Sequence, residues 1–447
     1  MLHKFKRGVH PPDEKSRTVR AAIRDAPIPD ILVVPLSQHT GASAVPIVGK
    51  GVSVDKGMLI GEPGGFISAA VHSPVSGEVV AVEDRALPIG RPGACVIIRN
   101  DREERWAPEA SIQTDPASLE AGSIRDRVRA AGVVGMGGAA FPTSVKLTPP
   151  DQHVRIDTLI VNAAECEPYL TGDYRLMLES PERIVRGAEL VRRAAGAQRI
   201  VYAVEDDKED AAKALAGAAG GAAGVGIVLL PVRYPQGAEK NLIESVTGRE
   251  VPSGGLPMNI GVLVQNVATC AAVCDACAFG RPLIERIVTV TGPCTANPGN
   301  FRVRIGTLYS DLLKEVGLAA MPRRIVLGGP MMGVAQTGLD IPVTKATTGL
   351  VFLDEVPRDE WRSCIRCGKC VRACPVRIMP SELSVLVEAE RIDEANALDL
   401  FDCIECGCCA YVCPTRRPIV HRIKYAKAQI NARREGAAPP LERTPAK

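Results

Sequence analysis

The chain has 447 residues, 46% hydrophobic and 23% charged, with a formal net charge of +3. That length allows three or four domains, the composition is ordinary for a globular protein, and the small net charge supplies no electrostatic footprint for nucleic acid. Fifteen cysteines, nine of them in two short stretches near the C-terminus, predict a reducing compartment rather than a disulfide scaffold. The opening "MLHKFKRGVHPPDEK" lacks the apolar core of a secretory signal. No run of about 18 apolar residues occurs, so no bilayer-spanning helix is expected.

Residues 1–30 are basic, contain proline and show no period; they read as an extended arm. Residues 31–105 have short strands and glycine turns, in two similar hairpin halves, "VGKGVSVDKGMLIGE" and "VHSPVSGEVVAVED". This stretch resembles the barrel-sandwich domains of biotinyl and lipoyl carriers. The turn between its halves, "EPGGFISAA", has no lysine to modify, which points to a structural or docking module.

Residues 120–285 read as α/β. "SIRDRVRAAG" places Ile124, Val128 and Ala131 on one helical face. "TLIVNAAE" is a buried strand, and "PERIVRGAELVRRAAG" is a helix stopped at Gly196. "RIVYAVED", "KEDAAKALAGAAGG" and "VGIVLLPV" form a strand–helix–strand unit. Residues 286–350 predict a small mixed sheet with one helix. Residues 351–430 hold two cysteine motifs around the helix-forming "SELSVLVEAERIDEANALDL". Residues 431–447 read as a disordered tail.

The first motif, "CIRCGKCVRACP", places Cys364, Cys367, Cys370 and Cys374 in the spacing C-x2-C-x2-C-x3-C-P. The second, "CIECGCCAYVCP", repeats it with Cys403, Cys406, Cys409 and Cys413, and leaves Cys408 over as a buried free thiol. Three cysteines in a tight loop cover one face of a four-iron cubane, and the fourth reaches the other cluster in two-cluster ferredoxins. The expected ligand sets are therefore Cys364, Cys367, Cys370 and Cys413 for one [4Fe–4S] cluster, and Cys403, Cys406, Cys409 and Cys374 for the other. Structural zinc sites usually pair two C-x2-C units across a longer loop, which fits this spacing poorly.

Gly135, Gly137 and Ala140 in "GVVGMGGAAFPTSVKL" satisfy G-x-G-x-x-A, but a helix precedes them where a dinucleotide fingerprint demands a strand. Glycine-rich backbone can still turn N–H groups toward a phosphate. "VNAAECEPYLTGDYRLM" sets Asn162, Glu165 and Glu167 at a strand end, where open α/β sheets bind ligands. "YPQGAEKNLIESVTGREVP" carries Glu239, and "QNVATCAAV" carries Gln265, Asn266 and Thr269.

Together these stretches, over about residues 132–272, resemble the flavin and NADH subunit of respiratory complex I. That family has a glycine loop ending in Gly-Phe-Pro-Thr, an Asn-Ala-Asp-Glu-x-Glu-Pro strand end, a Gly-Glu-Glu loop and an Asn-Asn-Val-Glu-Thr segment. With "GVHPP", the sandwich, a β-grasp-like domain after 286 and the two ferredoxin motifs, the whole chain resembles the C subunits of Rnf-type ion-translocating ferredoxin:NAD oxidoreductases. The resemblance implies FMN against Gly135, Gly137 and Gly138, with Asn162, Gln265, Asn266 and Thr269 hydrogen-bonding the flavin. It implies NAD(H) stacked on Phe141, Lys146 at its phosphates, and Glu165, Glu167 and Glu239 lining its site. Met136, Ala164, Cys166 and Gln265 depart from the complex I pattern, which has Arg, Asp, Gly and Asn there. The implied partners are membrane-embedded subunits of such a complex and, indirectly, a ferredoxin. The implied location is peripheral, on the cytoplasmic face of a bacterial inner membrane.

The alternative is a ferredoxin-like relay or docking adaptor with a vestigial nucleotide site. A related quinone-reductase subunit would share the front modules but lack "CIRCGKCVRACP". Cys270, Cys274 and Cys277 have the C-x3-C-x2-C spacing of a radical SAM cluster, yet fall on one face of an apolar helix, where buried thiols pack without ligating. "RRPIVHRIKYAKAQINARR", Arg416 to Arg434, has no acidic residue; it is expected to be a solvated basic helix or a docking face toward membrane partners.

Overall fold

The computed structural model describes residues 7–148, 155–356 and 360–434. Most of the expected disordered tail, from 435 on, and the first six residues of the arm lie outside the described residues.

The sandwich is two antiparallel sheets. One has the order Ile31–Pro35, Gly93–Asn100, Gly77–Arg85, Ser53–Val54, and the other Val45–Pro46, Leu59–Glu62, Val71–His72. Leu, Val and Ile side chains from both, including Leu32, Val34, Ile60, Val71, Val79, Val96 and Ile98, fill the core between them.

The central domain is a parallel four-stranded sheet ordered Val225–Leu230, Arg199–Glu205, Thr158–Ala163, Val262–Asn266. Its strands are nearly continuous apolar runs because both faces are covered. Leu159 and Val161 face a layer of helices that includes Pro181–Ala195 and Val267–Phe279. Ile160, Ala203 and Val264 face helix Glu239–Thr247. Helices Pro181–Ala195 and Val267–Phe279 nearly touch at Gly187, where a Cβ would fall 1.7 Å from the Cys270 carbonyl oxygen. Cys270, Cys274 and Cys277 are all buried.

The third domain is a six-stranded mixed sheet, ordered Ile23–Asp25, Gly299–Arg304, Glu285–Thr291, Gly349–Leu353, Arg324–Leu327, Val334–Gln336, with helix Tyr309–Val316 against it. Its first strand comes from the N-terminal arm, with Ile23 paired to Asn300. The expected extended arm is therefore a strap. Val9 pairs with Tyr234, the Lys15 ammonium donates to the Glu165 carbonyl, and Thr18 joins Thr171 and Asn300 in a fully buried polar network.

The C-terminal lobe packs helices Pro380–Glu388, Ile392–Asn396 and Ile419–Arg434 around its own core. The last helix continues four residues into the stretch expected to be disordered. Nor is it a free basic surface. Arg417, 4% exposed, and Arg422 both pair with Glu388, and their guanidinium carbons stand 5.4 and 4.5 Å from the Trp361 ring centre. Lys427 bonds Glu405 at 2.9 Å and the Cys403 carbonyl at 2.5 Å, and Arg433 pairs with Asp393. These cations hold the lobe together.

Candidate flavin and iron–sulfur sites

The parallel sheet grows from Thr158–Ala163 in one direction through two strands, then returns to place Val262–Asn266 on its other side. That reversal is a topological switch point, the place where open α/β sheets take ligands. Asn162 and Asn266 are register partners there, with Gln265 beside Val161.

Above this point stands the glycine loop, built as a tight hairpin. Val134 pairs with Pro142, and the Gly135 amide donates to the Phe141 carbonyl at 2.8 Å. Gly137, Gly138 and Ala139 form an exposed tip, with Gly138 at φ 112°, a region that favours glycine. The neck is pinned at buried Met136. Its amide donates to the Thr269 hydroxyl at 2.8 Å, and its carbonyl accepts from Arg286 at 3.0 Å. From the side, Thr40 of the sandwich donates its amide to the Ala140 carbonyl and its hydroxyl to the Ala139 carbonyl.

Asn266 caps helix Val267–Phe279 through the amides of Ala268 and Thr269, and donates to Asp173 at 2.5 Å. Asn162 donates to the Gly237 carbonyl at 2.8 Å. Gln265 is 3% exposed, and its amide nitrogen has no partner among the described residues. A buried orphan donor costs about 1–3 kcal/mol. At a switch point beneath an exposed glycine tip, it fits a ligand that supplies an acceptor, as the edge of a flavin ring does.

Lys146 and Glu239 face each other at 2.6 Å, both partly exposed. Phe141, at the hairpin's end, is partly exposed as well. Glu165 and Glu167, expected to line the nucleotide site, both accept backbone hydrogen bonds at the strand end. Glu165 accepts from the amides of Asp173 and Tyr174, at the start of helix Gly172–Glu179. Glu167 accepts from the amides of Met331 and Met332, bridging to the third domain. Burial pushes both carboxyls up to about 7. They brace the strand end from within.

In the lobe, both cysteine motifs fold alike. Arg366 and Glu405 take φ of 53° and 58°, Gly368 and Gly407 of 72° and 82°, and Arg377 and Arg416 of 63° and 52°. Cys364 accepts from the Arg366 amide and Cys403 from the Glu405 amide, each at 3.4 Å. In this register Cys408 answers to Lys369, a non-ligand position. Cys408 is fully buried and packs with Val9, Tyr234 and Ala373. A recess is lined by Cys364, Cys367, Cys370 and, from the other motif, Cys413. That is the expected first ligand set. Cys374 lies among Cys403, Cys406 and Cys409, close enough for their charges to interact. Among the described residues no three ligating side chains converge as around a single ion; a cubane holds its thiolates on separate irons.

The two sites meet through Tyr234. Its hydroxyl donates to the Cys406 carbonyl at 2.7 Å and lies 3.4 Å from the Glu167 carboxylate. Tyr234, Arg286, Asp173 and Thr40 escaped sequence reasoning. Asp173 and Tyr234 lie in stretches singled out for other residues, Arg286 and Thr40 in none, and each matters through a partner more than 90 residues away.

Four family models match the chain. They are the RnfC barrel sandwich hybrid domain over residues 3–103, the Nuo51 FMN-binding domain over 128–275, the SLBB domain over 287–335 and the 4Fe-4S dicluster domain over 363–416. The chain is 44% identical to the C subunit of the proton-translocating ferredoxin:NAD(+) oxidoreductase complex of Clostridium ljungdahlii, covering 97% of this chain and 95% of that one. It is 41% identical to the Na(+)-translocating counterpart of Acetobacterium woodii, covering 96% and 98%. It is 42% identical to the C subunit of the ion-translocating oxidoreductase complex of Pseudomonas aeruginosa, covering 97% of this chain but 56% of that one. Among solved structures, an air-oxidised NAD+-reducing [NiFe]-hydrogenase shares the fold, with a TM-score of 0.50 and 21% identity over 76% of this chain and 65% of that one. The chain thus carries an FMN-binding domain and a two-cluster [4Fe–4S] domain.

Proposed function

We propose how electrons pass through a chain that belongs to the family of C subunits of ion-translocating ferredoxin:NAD(+) oxidoreductase complexes: it is the NADH- and FMN-binding, iron–sulfur electron-transfer subunit. The observation that carries this reading is the switch point, where Asn162 and Asn266 are register partners beneath the glycine hairpin and the Gln265 amide nitrogen has no partner among the described residues.

FMN, when bound, supplies the exchange between two-electron hydride chemistry and single electrons. The hairpin tip Gly137–Gly138 offers it backbone amides, and Gln265 a hydrogen bond. Thr269, Asn266 and Arg286 hold the hairpin and strand ends rigid, so the flavin pocket is preorganised. Phe141, Lys146 and Glu239 are the groups for the nicotinamide nucleotide. Lys146 serves its phosphates and Glu239 its ribose, while Glu165 and Glu167 stand behind them as supports. Cys364, Cys367, Cys370 and Cys413 hold one cluster; Cys403, Cys406, Cys409 and Cys374 hold the other. The second set lies on the Tyr234 side, against the flavin domain, and the first lies outward.

No helix among the described residues is long and apolar enough to cross a membrane. In this reading ion movement belongs to membrane-embedded partners, and the chain sits on the cytoplasmic face of the membrane. The test is a flavin and iron assay on the full chain purified without oxygen, with NADH-dependent dye reduction. About eight irons, bound FMN and dye reduction are expected. Iron without FMN or dye reduction would leave only an electron relay.

A further inference from the structure

We propose that Arg286, reaching in from the third domain, donates to the flavin nucleotide at the switch point and by its charge raises that flavin's reduction potential. This rests on the reading of the switch point as the FMN site.

Arg286 stands at the start of strand Glu285–Thr291, yet its side chain ends in the flavin domain and is 3% exposed. Its Nε donates to the Thr347 carbonyl and its Nη2 to the Met136 carbonyl, each at 3.0 Å. Those two bonds brace the neck of the glycine hairpin. Nη1 is buried with them and has no partner among the described residues. A bridge between two carbonyls needs neither a third nitrogen nor a charge. Leaving a donor unpaired is costly, and more so on a charged group. Burial lowers the guanidinium only to about 10, against the opposing pull of Asp173, so it keeps its charge at neutral pH.

The neighbours show what Nη1 is held for. Met136 is followed by Gly137, where a Cβ would stand 3.5 Å from the Asn266 side chain. Asn266 follows Gln265, the other buried donor without a partner. Asn266 also donates to Asp173, the carboxylate whose charge acts on Arg286. Two unpartnered donors, one of them cationic, thus belong to the group of residues that fixes the hairpin neck. They call for a ligand rich in acceptors, and the carbonyl oxygens and ring nitrogens of a flavin are such a set. A flavin that accepts a hydride also gains one negative charge. A fixed cation in a site shielded from water stabilises that form over the oxidised one. Asp173 tempers the effect from the same cluster.

The experiment uses the full chain purified without oxygen, with FMN and iron assayed. The flavin potential is read by anaerobic potentiometric titration at the flavin absorption band. Arg286→Gln is expected to weaken the hold on reduced FMN about tenfold more than on oxidised FMN, a fall of about 30 mV for a two-electron couple. Arg286→Lys keeps the charge and is expected to recover most of that fall. Asp173→Asn keeps an acceptor for Asn266 but removes the opposing charge, so the potential is expected to rise by a similar amount. A pocket that is merely loosened would move both neutralised variants the same way. Shifts of one sign in Arg286→Gln and Asp173→Asn therefore overturn the proposal. So does an unchanged potential in Arg286→Gln with FMN bound. Should Arg286→Gln lose FMN or fail to fold, Asp173→Asn decides, and the absence of a rise overturns the proposal. Failure of the parent chain to hold FMN would instead remove the flavin reading beneath it.

Discussion

Gln265 separates the flavin reading from a vestigial site. Its buried amide nitrogen has no partner among the described residues, so Gln265→Leu removes an unsatisfied donor at similar volume. The apo protein is expected to melt at an unchanged or higher temperature, while FMN retention falls about tenfold, the worth of one hydrogen bond. Equal FMN affinity in the variant would take Gln265 out of the site. The cysteines allow a similar contrast. Cys374→Ser is expected to remove about four of the eight irons, from the cluster that Cys403, Cys406 and Cys409 share with it. Cys408→Ser is expected to keep all of them, since Cys408 answers to Lys369 and faces Tyr234. Iron loss from the Cys408 variant would shift the register of the second motif.

At the scale of elements, what was legible followed local chemistry. The spacing of the cysteines marked two motifs that fold alike, because each loop is short and local. The helix over Pro181–Ala195 and the buried strand Thr158–Ala163 showed in their periods. What stayed hidden was the joining of elements. Glu165 and Glu167 looked like ligand groups at a strand end, and only the fold shows backbone amides claiming them. Lys345 gave no signal at all, yet it is 1% exposed and donates to the carbonyls of Ala70 at 2.6 Å and Gly132 at 2.7 Å. It ties the third domain to the sandwich and to the root of the glycine hairpin. Burial lowers its pKa from 10.5 to about 7. Between those values the unfolded chain binds the proton and the folded chain does not, so this group makes stability rise with pH over that window. Lys345→Met is expected to cost about 1–3 kcal/mol near pH 9, by leaving two carbonyls unpaired, and to lose that part of the rise. Chemical denaturation of parent and variant from pH 7 to 10 would measure both. Tyr234→Phe leaves the buried Cys406 carbonyl short of one donor. It is expected to keep iron and FMN but to slow the appearance of reduced cluster after NADH is mixed in, as read by electron paramagnetic resonance. An unchanged rate would make Tyr234 a packing residue only.

The whole molecule is held by its N-terminal arm, whose sequence suggested an extended segment without showing what it joins. In order along the arm, Val9 meets Tyr234 beside the cluster lobe, Lys15 reaches the strand end at Glu165, and Arg17 bonds Gly292 and Thr295. Thr18 then enters the network of Thr171, Thr289 and Asn300, and Ile23–Asp25 closes the six-stranded sheet. The arm touches every module, meeting the sandwich where Asn100 donates to the carbonyls of Pro29 and Asp30. Removing residues 1–22 leaves Thr171 and Asn300 without the partners that Thr18 and Ala21 supply. At about 1–3 kcal/mol for each buried group left unpaired, the loss is a large part of the roughly 5–15 kcal/mol that hold a typical domain folded. The lobe has its own core around Leu383, Ile423 and Ile430, and its cation pairs with Glu388 and Glu405 are independent of the arm. The shortened chain is therefore expected to melt in two steps, the flavin-binding part well below the lobe, where the parent melts in one. Iron should survive the first step and FMN should not. A single transition at the parent's temperature would mean that the modules hold one another without the strap, and the contacts of Tyr234 and Glu167 would then have to carry the joint between flavin domain and clusters.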